Sequence, residues 1–344
     1  MLRGLSYDLG LTYISGPESR RWTTHRPLPD ATLRRELRMV RSLGADAVRL
    51  HGERETDLLR AAREALGLGF EVWLSPRFID LPSRRVPPRV AHLARGAESL
   101  RAEFPGRVVL MVANELTLDA PDFFPGDYEA RARAMGAASA LGALRQVNTR
   151  LNRLLREAAA AAREGFGGPL TYAAGFWERV EWRPFDLVSA NLYRDWTRWW
   201  TYREWLAALK SFGRPAFVTE FGSATHAGAP LLGGAGWHLF RPFPRSEEAQ
   251  AEAVKAQWRA IGSAGLGGGF VYCFAMPRAF PGDPGGTEES DKASFGIVRL
   301  AGNRVVPKRA WGAVRRMFTS TSSRRSGRTP GPAARSSGRS RRRR

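Results

Sequence analysis

Residues 108–115 read V-V-L-M-V-A-N-E, an uninterrupted apolar run that ends on an asparagine and a glutamate. Residues 215–220 repeat the pattern as P-A-F-V-T-E. A run without polar alternation is typical of a strand covered on both faces, as in a parallel sheet wrapped by helices. A carboxylate directly after such a strand costs desolvation free energy unless it has partners or lies at a solvated cleft. The two stretches therefore predict buried parallel strands that carry functional carboxyl groups at their carboxyl ends.

Short apolar runs of this kind alternate with helical patterns along the chain to about residue 317. The first helical stripe follows a candidate N-cap at Asp30 and stops at Gly44. Further helices are predicted over residues 147–162, 249–261 and 305–317, and the crossover between the fifth and sixth runs has room only for a short or degenerate helix. The apolar runs are eight in number and cover residues 3–7, 46–50, 70–74, 107–112, 170–174, 186–190, 216–219 and 269–274.

Eight strands that alternate with helices predict the α/β class and a (β/α)8 TIM barrel, for which about 250 residues is typical. A doubly wound open sheet is the competing fold. The chain has no G-x-G-x-x-G after its first run and no G-x-x-x-x-G-K-[ST] motif, so the nucleotide-binding form of that competitor loses its main support. The barrel is expected to occupy residues 1–318 as a catalytic domain.

The amino-acid composition excludes several classes of protein. Hydrophobic residues make up 43% of the 344 residues and charged residues 25%, which excludes disorder of the whole chain. The lone Cys273 cannot form a disulfide within the chain and is expected to be a small buried hydrophobe. The sequence has no apolar run long enough to span a membrane and no signal-peptide core at its start. A cytoplasmic protein without a membrane span is therefore expected.

Part of the formal net charge of +21 is concentrated at the end of the chain, where residues 321–344 hold nine arginines and no acidic residue. Residues 319–344 are rich in Ser, Gly, Pro and Arg and have almost nothing apolar to bury, which predicts a disordered basic tail. Such a tail is expected to give weak, salt-sensitive binding to polyanions. A nucleic-acid or anionic-surface binder that uses this tail is one functional hypothesis.

In a parallel barrel the functional site lies at the carboxyl ends of the strands. Glu115 follows the fourth run and Glu220 the seventh, and Asn114 stands directly before Glu115. The plain alternative is that the two glutamates only cap strand ends through surface salt bridges. The histidines show no metal-ligand spacing, so neither a metal nor a cofactor is expected. Candidates for substrate contact end other runs or lie in the loops after them, and they are Tyr7, Asp8, Arg49, His51, Trp177, Tyr193, Trp196 and Tyr272.

Two carboxyl groups that converge across a barrel mouth are the minimum apparatus for retaining glycoside hydrolysis, with one as nucleophile and one as proton donor. The nucleophile has to stay ionised, which an adjacent arginine and a tyrosine hydroxyl favour. The donor has to be protonated, which the nearby negative charge favours. A retaining pair is expected to stand about 5 to 5.5 Å apart. Glu178 is the one carboxylate that could replace Glu115 or Glu220.

The N-E after the fourth run, the glutamate after the seventh, the arginine of the second and the tyrosine after the sixth resemble the clan A glycoside hydrolases. This (β/α)8 superfamily includes cellulases, mannanases and β-galactosidases, and the resemblance covers about residues 1–317. It implies Glu115 as acid/base, Glu220 as nucleophile and Asn114 as the partner of the sugar 2-hydroxyl. It also implies that Arg49 and Tyr193 hold Glu220.

The chain departs from that pattern in two loops. Many clan members carry a histidine after the fifth strand and a tryptophan at the end of the eighth, where this chain has G-F-W at 175–177 and Y-C-F at 272–274. Strand four ends N-E-L where N-E-P is frequent. The catalytic pair survives these changes, whereas the floor of the sugar subsite is altered.

Four short stretches are similar to actinobacterial proteins labelled "abortive infection protein". They are G-L-S-Y-D at 4–8, T-Y-A-A-G-F-W-E at 171–178, V-T-E-F-G at 218–222 and D-K-A-S-F-G-I-V at 291–298. The leading hypothesis is a retaining glycosidase-like enzyme that acts on a β-glycoside or glycoconjugate. The alternative is a barrel that binds a carbohydrate or a protein partner without turnover, in phage defence.

Overall fold

The computed structural model describes residues 1–15, 20–140, 144–238, 243–280, 283–302 and 304–320, and eight parallel strands close into a barrel. The predicted TIM barrel is therefore confirmed. The barrel order is β1-β10-β9-β8-β7-β6-β5-β4, and β1 pairs with both β4 and β10. The strands are β1 (Leu2–Asp8), β2 (Thr12–Ser15), β3 (Arg20–Thr23), β4 (Ala47–Gly52), β5 (Glu71–Pro76), β6 (Val108–Asn114), β7 (Leu170–Gly175), β8 (Val188–Asn191), β9 (Ala216–Phe221), β10 (Gly268–Val271), β11 (Val298–Ala301) and β12 (Arg304–Pro307).

Helices follow most barrel strands. The exception is the predicted short crossover between β7 and β8, where residues 176–187 form turns and no helix. The helices are α1 (Asp30–Ser42), α2 (Glu55–Gly67), α3 (Val86–Glu103), α4 (Leu116–Asp119), α5 (Tyr128–Ala140), α6 (Arg145–Arg163), α7 (Tyr202–Lys210), α8 (Ala229–Leu232), α9 (Glu247–Ser263), α10 (Glu288–Ala293) and α11 (Arg309–Ser320).

The first helix shows how the apolar stripes are used. Leu33, Leu37 and Val40 of α1 are completely buried against the barrel, and each such side chain contributes roughly 1.5–3 kcal/mol. The chain leaves the helix through Gly44, whose φ of +84° favours glycine. Asp30 is not the N-cap as predicted, because Pro29 occupies that position and the Asp30 carboxylate accepts instead from Arg60 at 2.6 Å.

The predicted helix over residues 305–317 begins later than expected. Residues 304–307 form β12, which pairs antiparallel with β11 through Leu300 and Val305. The reason is local, since a residue before proline avoids helical geometry and Val306 precedes Pro307. Helix α11 therefore starts only at Arg309 and runs to Ser320, past the predicted domain boundary at residue 318.

Side chains alternate between the barrel interior and the layer beneath the helices. On β4, Val48 and Leu50 pack in the outer core, whereas Arg49 and His51 face the interior above Ala47. The apolar interior cluster includes Trp73 and fills the part of the barrel that Ala47 faces. The polar residues of the interior consequently gather toward the carboxyl ends of the strands.

Three irregularities in strand register lie toward that same end, and one of them is in the pairing of β10 with β9 between Gly269 and Val271. The pairing of β6 with β7 shifts between Met111 and Asn114, and the pairing of β8 with β9 shifts between Ala190 and Asn191. A register shift re-aims the side chains that follow it. In the pairing of β6 with β7 the extra residue lies on β6 before Asn114, and in the pairing of β8 with β9 it lies on β9 before Glu220.

No helix among the described residues is long and apolar enough to cross a membrane. The predicted basic tail falls almost entirely on residues 321–344, which lie outside the described residues. Its disorder and its binding to polyanions therefore stay predictions.

Candidate active site

Glu220 lies near the end of β9, where both of its carboxylate oxygens are engaged. Arg49 Nη1 donates to Oε1 at 2.6 Å, and the Tyr193 hydroxyl donates to Oε2 at 3.0 Å. Only 8% of the Glu220 surface is exposed, and Arg49 is completely buried. The ion pair offsets the desolvation of both charges, because each buried charge has a partner in hydrogen-bond geometry. The structure thus brings both sequence-predicted partners to Glu220.

Arg49 joins four strands of the barrel at one guanidinium group. Besides Glu220, it donates to Ser75 Oγ at 3.1 and 3.0 Å, to the Thr219 carbonyl at 3.1 Å and to Asn114 Oδ1 at 2.6 Å. A planar guanidinium with donors fixed in a fork holds several acceptors in one arrangement. The positions of Glu220 and Asn114 are therefore set by the same side chain.

Glu115 follows β6 and is half-buried. Its backbone is left-handed, with φ of 39° and ψ of 50°, and its amide donates to the Ala173 carbonyl at 3.0 Å. The Asn191 amide donates to Glu115 Oε1 at 3.0 Å and also to Asn114 Oδ1 at 3.0 Å. A continuous set of hydrogen bonds therefore runs from Glu115 through the two asparagines and Arg49 to Glu220.

Burial and the negative charge of Glu220 raise the pKa of Glu115 to about 8, against a partly opposing effect of Arg77. The Glu115 carboxyl group is therefore mostly protonated at neutral pH. Glu220, by contrast, is paired with a guanidinium that stays charged. The two carboxyl groups at this barrel mouth consequently stand in different environments, since Glu115 is held protonated whereas Glu220 is paired with a guanidinium.

Asn114 has a buried donor without a partner. Its Oδ1 accepts from Arg49 and Asn191, which fixes the orientation of the amide, and within the described ranges its Nδ2 has no hydrogen-bond partner. An unpaired buried donor costs about 1–3 kcal/mol. Such a group at a barrel mouth is typical of a site that binds a polar ligand.

His51 and Tyr272 form a second part of the mouth, with ring centroids 5.5 Å apart. Neither ring nitrogen of the buried His51 has a hydrogen-bond partner in the described part of the chain, and Nε2 lies 3.7 Å from Asp8 Oδ1. Burial and the charges of Arg49 and Arg77 lower the pKa of His51 well below its usual value, so the ring is neutral. Burial raises the pKa of Asp8, whose Oδ1 accepts from the Gly10 amide at 2.7 Å.

The structure does not bring Tyr7 to this cluster. Tyr7 lies in the outer core and donates to Glu36 of α1 at 2.5 Å, because strand alternation turns it away from the interior that its neighbours Ser6 and Asp8 face. Trp196 is 70% exposed on a turn after β8 and is a surface residue. Trp177 is half-buried, and its indole donates to Thr117 Oγ1 at 2.9 Å, two residues beyond Glu115.

Asn191 and Ser75 are polar members of the cluster that the sequence reasoning missed. The signal for Asn191 was present, because D-L-V-S-A-N at 186–191 ends on an asparagine as the fourth run does. Glu178 was the predicted substitute for either glutamate. Its carboxylate instead accepts four hydrogen bonds from protein donors, so it has no oxygen left for a substrate.

No protein-family model matches the chain, and no curated protein matches it. Among solved structures, a GH113 β-1,4-mannanase is 16% identical with a TM-score of 0.59, over 84% of this chain and 93% of that one. A GH2 β-galacturonidase from Eisenbergiella tayi is 17% identical with a TM-score of 0.61, over 93% of this chain but 50% of that one.

A β-glucuronidase from Bacteroides uniformis is 15% identical with a TM-score of 0.59, over 92% of this chain and 35% of that one. The chain thus spans half or less of the two longer enzymes. At these identities the similarity shows the fold alone, which is the (β/α)8 barrel predicted from the sequence, and the resemblance to clan A glycoside hydrolases in the site residues stays a prediction. The resemblance to abortive infection proteins has no support from these comparisons and stays a prediction.

Proposed function

We propose that this protein is a retaining glycoside hydrolase that cleaves a β-glycoside or a glycoconjugate. The observation that supports the proposal best is that two carboxyl groups at one barrel mouth have different chemical environments. Glu220 accepts hydrogen bonds from Arg49 and Tyr193, whereas burial and the charge of Glu220 raise the pKa of Glu115 to about 8. A charged nucleophile beside a protonated acid is the starting state of double displacement.

In the first step, Glu220 attacks the anomeric carbon and the glycosidic bond breaks. Glu115 gives its proton to the departing oxygen, and a glycosyl ester on Glu220 results. This ester removes the negative charge that helped to raise the pKa of Glu115. Glu115 is then suited to act as a base, and it takes a proton from the water that displaces Glu220 and restores the original anomeric configuration.

The separation of the two carboxyl groups, about 5 to 5.5 Å for this mechanism, is part of the proposal. The hydrogen bonds of Asn191 support it, because one amide serves Glu115 and also Asn114, which Arg49 ties to Glu220. Since the acid form of Glu115 is required, turnover is expected to fall as the pH rises above about 8.

The unpartnered polar atoms of the mouth supply contacts for a sugar. Asn114 Nδ2 suits the sugar 2-hydroxyl, in keeping with the clan A resemblance. The neutral ring of His51 offers one donor and one acceptor, and Asp8 offers carboxylate oxygens, which together fit sugar hydroxyl groups. Tyr272 and Trp177 provide aromatic surface beside them, which suits the apolar face of a pyranose.

The test is a panel of aryl β-glycosides assayed with the purified protein and with variants. Glu220→Ala is expected to abolish turnover, with azide restoring a product of inverted configuration. Glu115→Ala is expected to spare the first step for substrates with good leaving groups. Glu103→Gln is the matched control, because Glu103 is exposed and pairs only with an exposed arginine at the surface. Proton NMR of the product that the wild-type protein first releases decides between retention and inversion. A product of inverted anomeric configuration would contradict the retaining mechanism.

One observation favours the alternative of a barrel that binds carbohydrate without turnover. Trp196 and Trp200 after β8 are 70% and 88% exposed, and exposed indole rings at such a position are typical of a binding surface. Binding of a soluble β-glycan with no turnover of any aryl glycoside in the panel supports this alternative over the hydrolase.

A further inference from the structure

Glu178 is a further buried carboxylate near the barrel mouth, and protein donors occupy both of its oxygens. Its Oε1 accepts from the Thr117 amide at 3.1 Å and from the Thr117 hydroxyl at 2.7 Å. Its Oε2 accepts from the Tyr172 hydroxyl at 2.8 Å and from the Gly175 amide at 2.9 Å. Glu178 itself is 8% exposed. This carboxylate is therefore committed to the protein.

The hydrogen bonds of Glu178 reach the two residues that follow Glu115 in the chain. Thr117 is two residues beyond Glu115, and the Tyr172 hydroxyl also accepts from the Leu116 amide at 2.7 Å. Trp177, the neighbour of Glu178, donates to the Thr117 hydroxyl at 2.9 Å. The two residues that follow Glu115 are thus anchored, directly or through one tyrosine, to a single carboxylate in the loop after β7.

Glu115 needs such an anchor because its conformation is costly. A left-handed backbone, such as that of Glu115 with its φ of 39°, is unfavourable in a residue other than glycine and persists only where its surroundings enforce it. Helix α4, which follows, has a single turn and cannot stabilise itself. Its far end is fixed by Arg77, which donates to both oxygens of Asp119 at 2.8 and 2.6 Å. Glu178 supplies the corresponding contact at the near end.

We propose that Glu178 is a positioning residue that holds the backbone of Glu115 in its left-handed conformation and so fixes the Glu115 carboxyl group relative to Glu220. This inference rests on the role of Glu115 proposed above. It assigns Glu178 no contact with substrate or with the reacting atoms.

Glu178 also acts on Glu115 through its charge, which a purely structural contact would not do. The charge of Glu178 adds to the effects of burial and of Glu220 in raising the pKa of Glu115, whereas Arg77 and the hydrogen bond from Asn191 lower it. Removal of the Glu178 charge is therefore expected to lower the pKa of Glu115. The tyrosines that also interact electrostatically with Glu115 are Tyr128, Tyr172 and Tyr193.

The primary experiment is Glu178→Gln. This substitution keeps the shape of the side chain but replaces one carboxylate oxygen with an NH2 group, which is a donor and would face the protein's own donors. The alkaline limb of kcat/KM against pH is expected to move downward by about 0.5 to 1 pH unit. Turnover of substrates with poor leaving groups is expected to fall about tenfold, with KM little changed. The carboxyl resonance of Glu115 in protein labelled with 13C-glutamate, assigned with Glu115→Gln, is expected to titrate lower by the same amount.

Glu36→Gln is the matched control. Glu36 is also a buried glutamate that accepts from a tyrosine hydroxyl, but it lies on α1 against the outer face of the barrel. Its variant is expected to lose a comparable amount of thermal stability while the titration of Glu115 stays in place. Equal effects of the two variants on turnover, with Glu115 titrating as in the wild type in both, would overturn the positioning role.

Thr117→Val tests the same contact if Glu178→Gln does not fold. It removes one donor to Glu178 and leaves the charge in place. Hydrogen exchange at the Leu116 and Thr117 amides is expected to quicken about tenfold, and unchanged exchange refutes the anchor. The hydrogen exchange separates this inference from the proposed function. If the wild type hydrolyses no glycoside yet the Leu116 and Thr117 amides exchange faster in Thr117→Val, the anchor stands and the hydrolase assignment fails.

Discussion

The proton on Glu115 is expected to make the stability of the fold depend on pH in a way that one substitution removes. In the unfolded chain Glu115 has its ordinary pKa of 4.5, and in the folded protein burial and Glu220 raise that pKa to about 8. Below pH 4.5 both states carry the proton. As the pH rises from 4.5 to 8, the unfolded state releases it and the folded state retains it, so stability is lost over that window.

The size of the effect follows from the two pKa values. Each pH unit inside the window costs about 1.4 kcal/mol, which gives an upper limit of about 3 kcal/mol at pH 7. Glu115 is half-buried, and solvent screening reduces the value, so we expect about 1 to 3 kcal/mol. Glu115→Gln keeps an oxygen that accepts from Asn191 and has no proton to lose. The variant is therefore expected to be more stable than the wild type at pH 7 and equally stable at pH 4.

The assay is chemical and thermal unfolding of the wild type and Glu115→Gln, followed by circular dichroism at half-unit steps from pH 4 to 8. At pH 7 the melting temperature of the variant is expected to be several degrees higher. Glu98→Gln gives a control of opposite sign, because Arg101 and the Gly167 amide lower the pKa of Glu98 to about 2. Its wild-type carboxylate stabilises the fold above pH 4.5, and only weakly since solvent reaches it. Parallel curves for the wild type and Glu115→Gln would refute the reasoning.

Three further changes test the site and the tail. Tyr193→Phe removes one hydrogen bond to Glu220 and is expected to lower kcat on aryl glycosides about tenfold while the melting temperature moves by only a few degrees. Arg49→Met removes the donors that the guanidinium supplies to Glu220, Asn114 and Ser75 and leaves the buried charge of Glu220 without its cation. We expect it to abolish turnover and to lower the free energy of unfolding by about 3–5 kcal/mol, measured in urea, and an active, stable variant contradicts the network. Truncation after Ser320 is expected to leave both turnover and melting temperature unchanged and to remove salt-sensitive retention on heparin, so a large loss of stability would show that the tail packs on the barrel.

The sequence by itself determined the barrel and the places where its chemistry gathers. Continuous apolar runs and helical stripes are local patterns, and their alternation leaves few ways to cover both faces of each strand. Because parallel strands end at one face of a barrel, residues that follow apolar runs, such as Glu115 and Glu220, had to come to the same mouth. That Arg49 and Tyr193 hold Glu220 was implied by the resemblance to clan A glycoside hydrolases and not by the strand pattern.

Only the tertiary structure decided which side chains enter the site and in what state. Tyr7 turns outward and donates to Glu36 although it ends an apolar run, and an extra residue on β9 lies directly before Glu220, which turns inward to Arg49. The raised pKa of Glu115 comes from burial and from a charge on a strand distant in sequence. Glu178 was a candidate for catalysis by its type and position. Its carboxylate instead accepts hydrogen bonds from protein groups that folding brings around it. Whether a carboxyl group is protonated, and whether its oxygens are free to contact a ligand, depends on distances between residues far apart in the chain. Folding alone sets those distances.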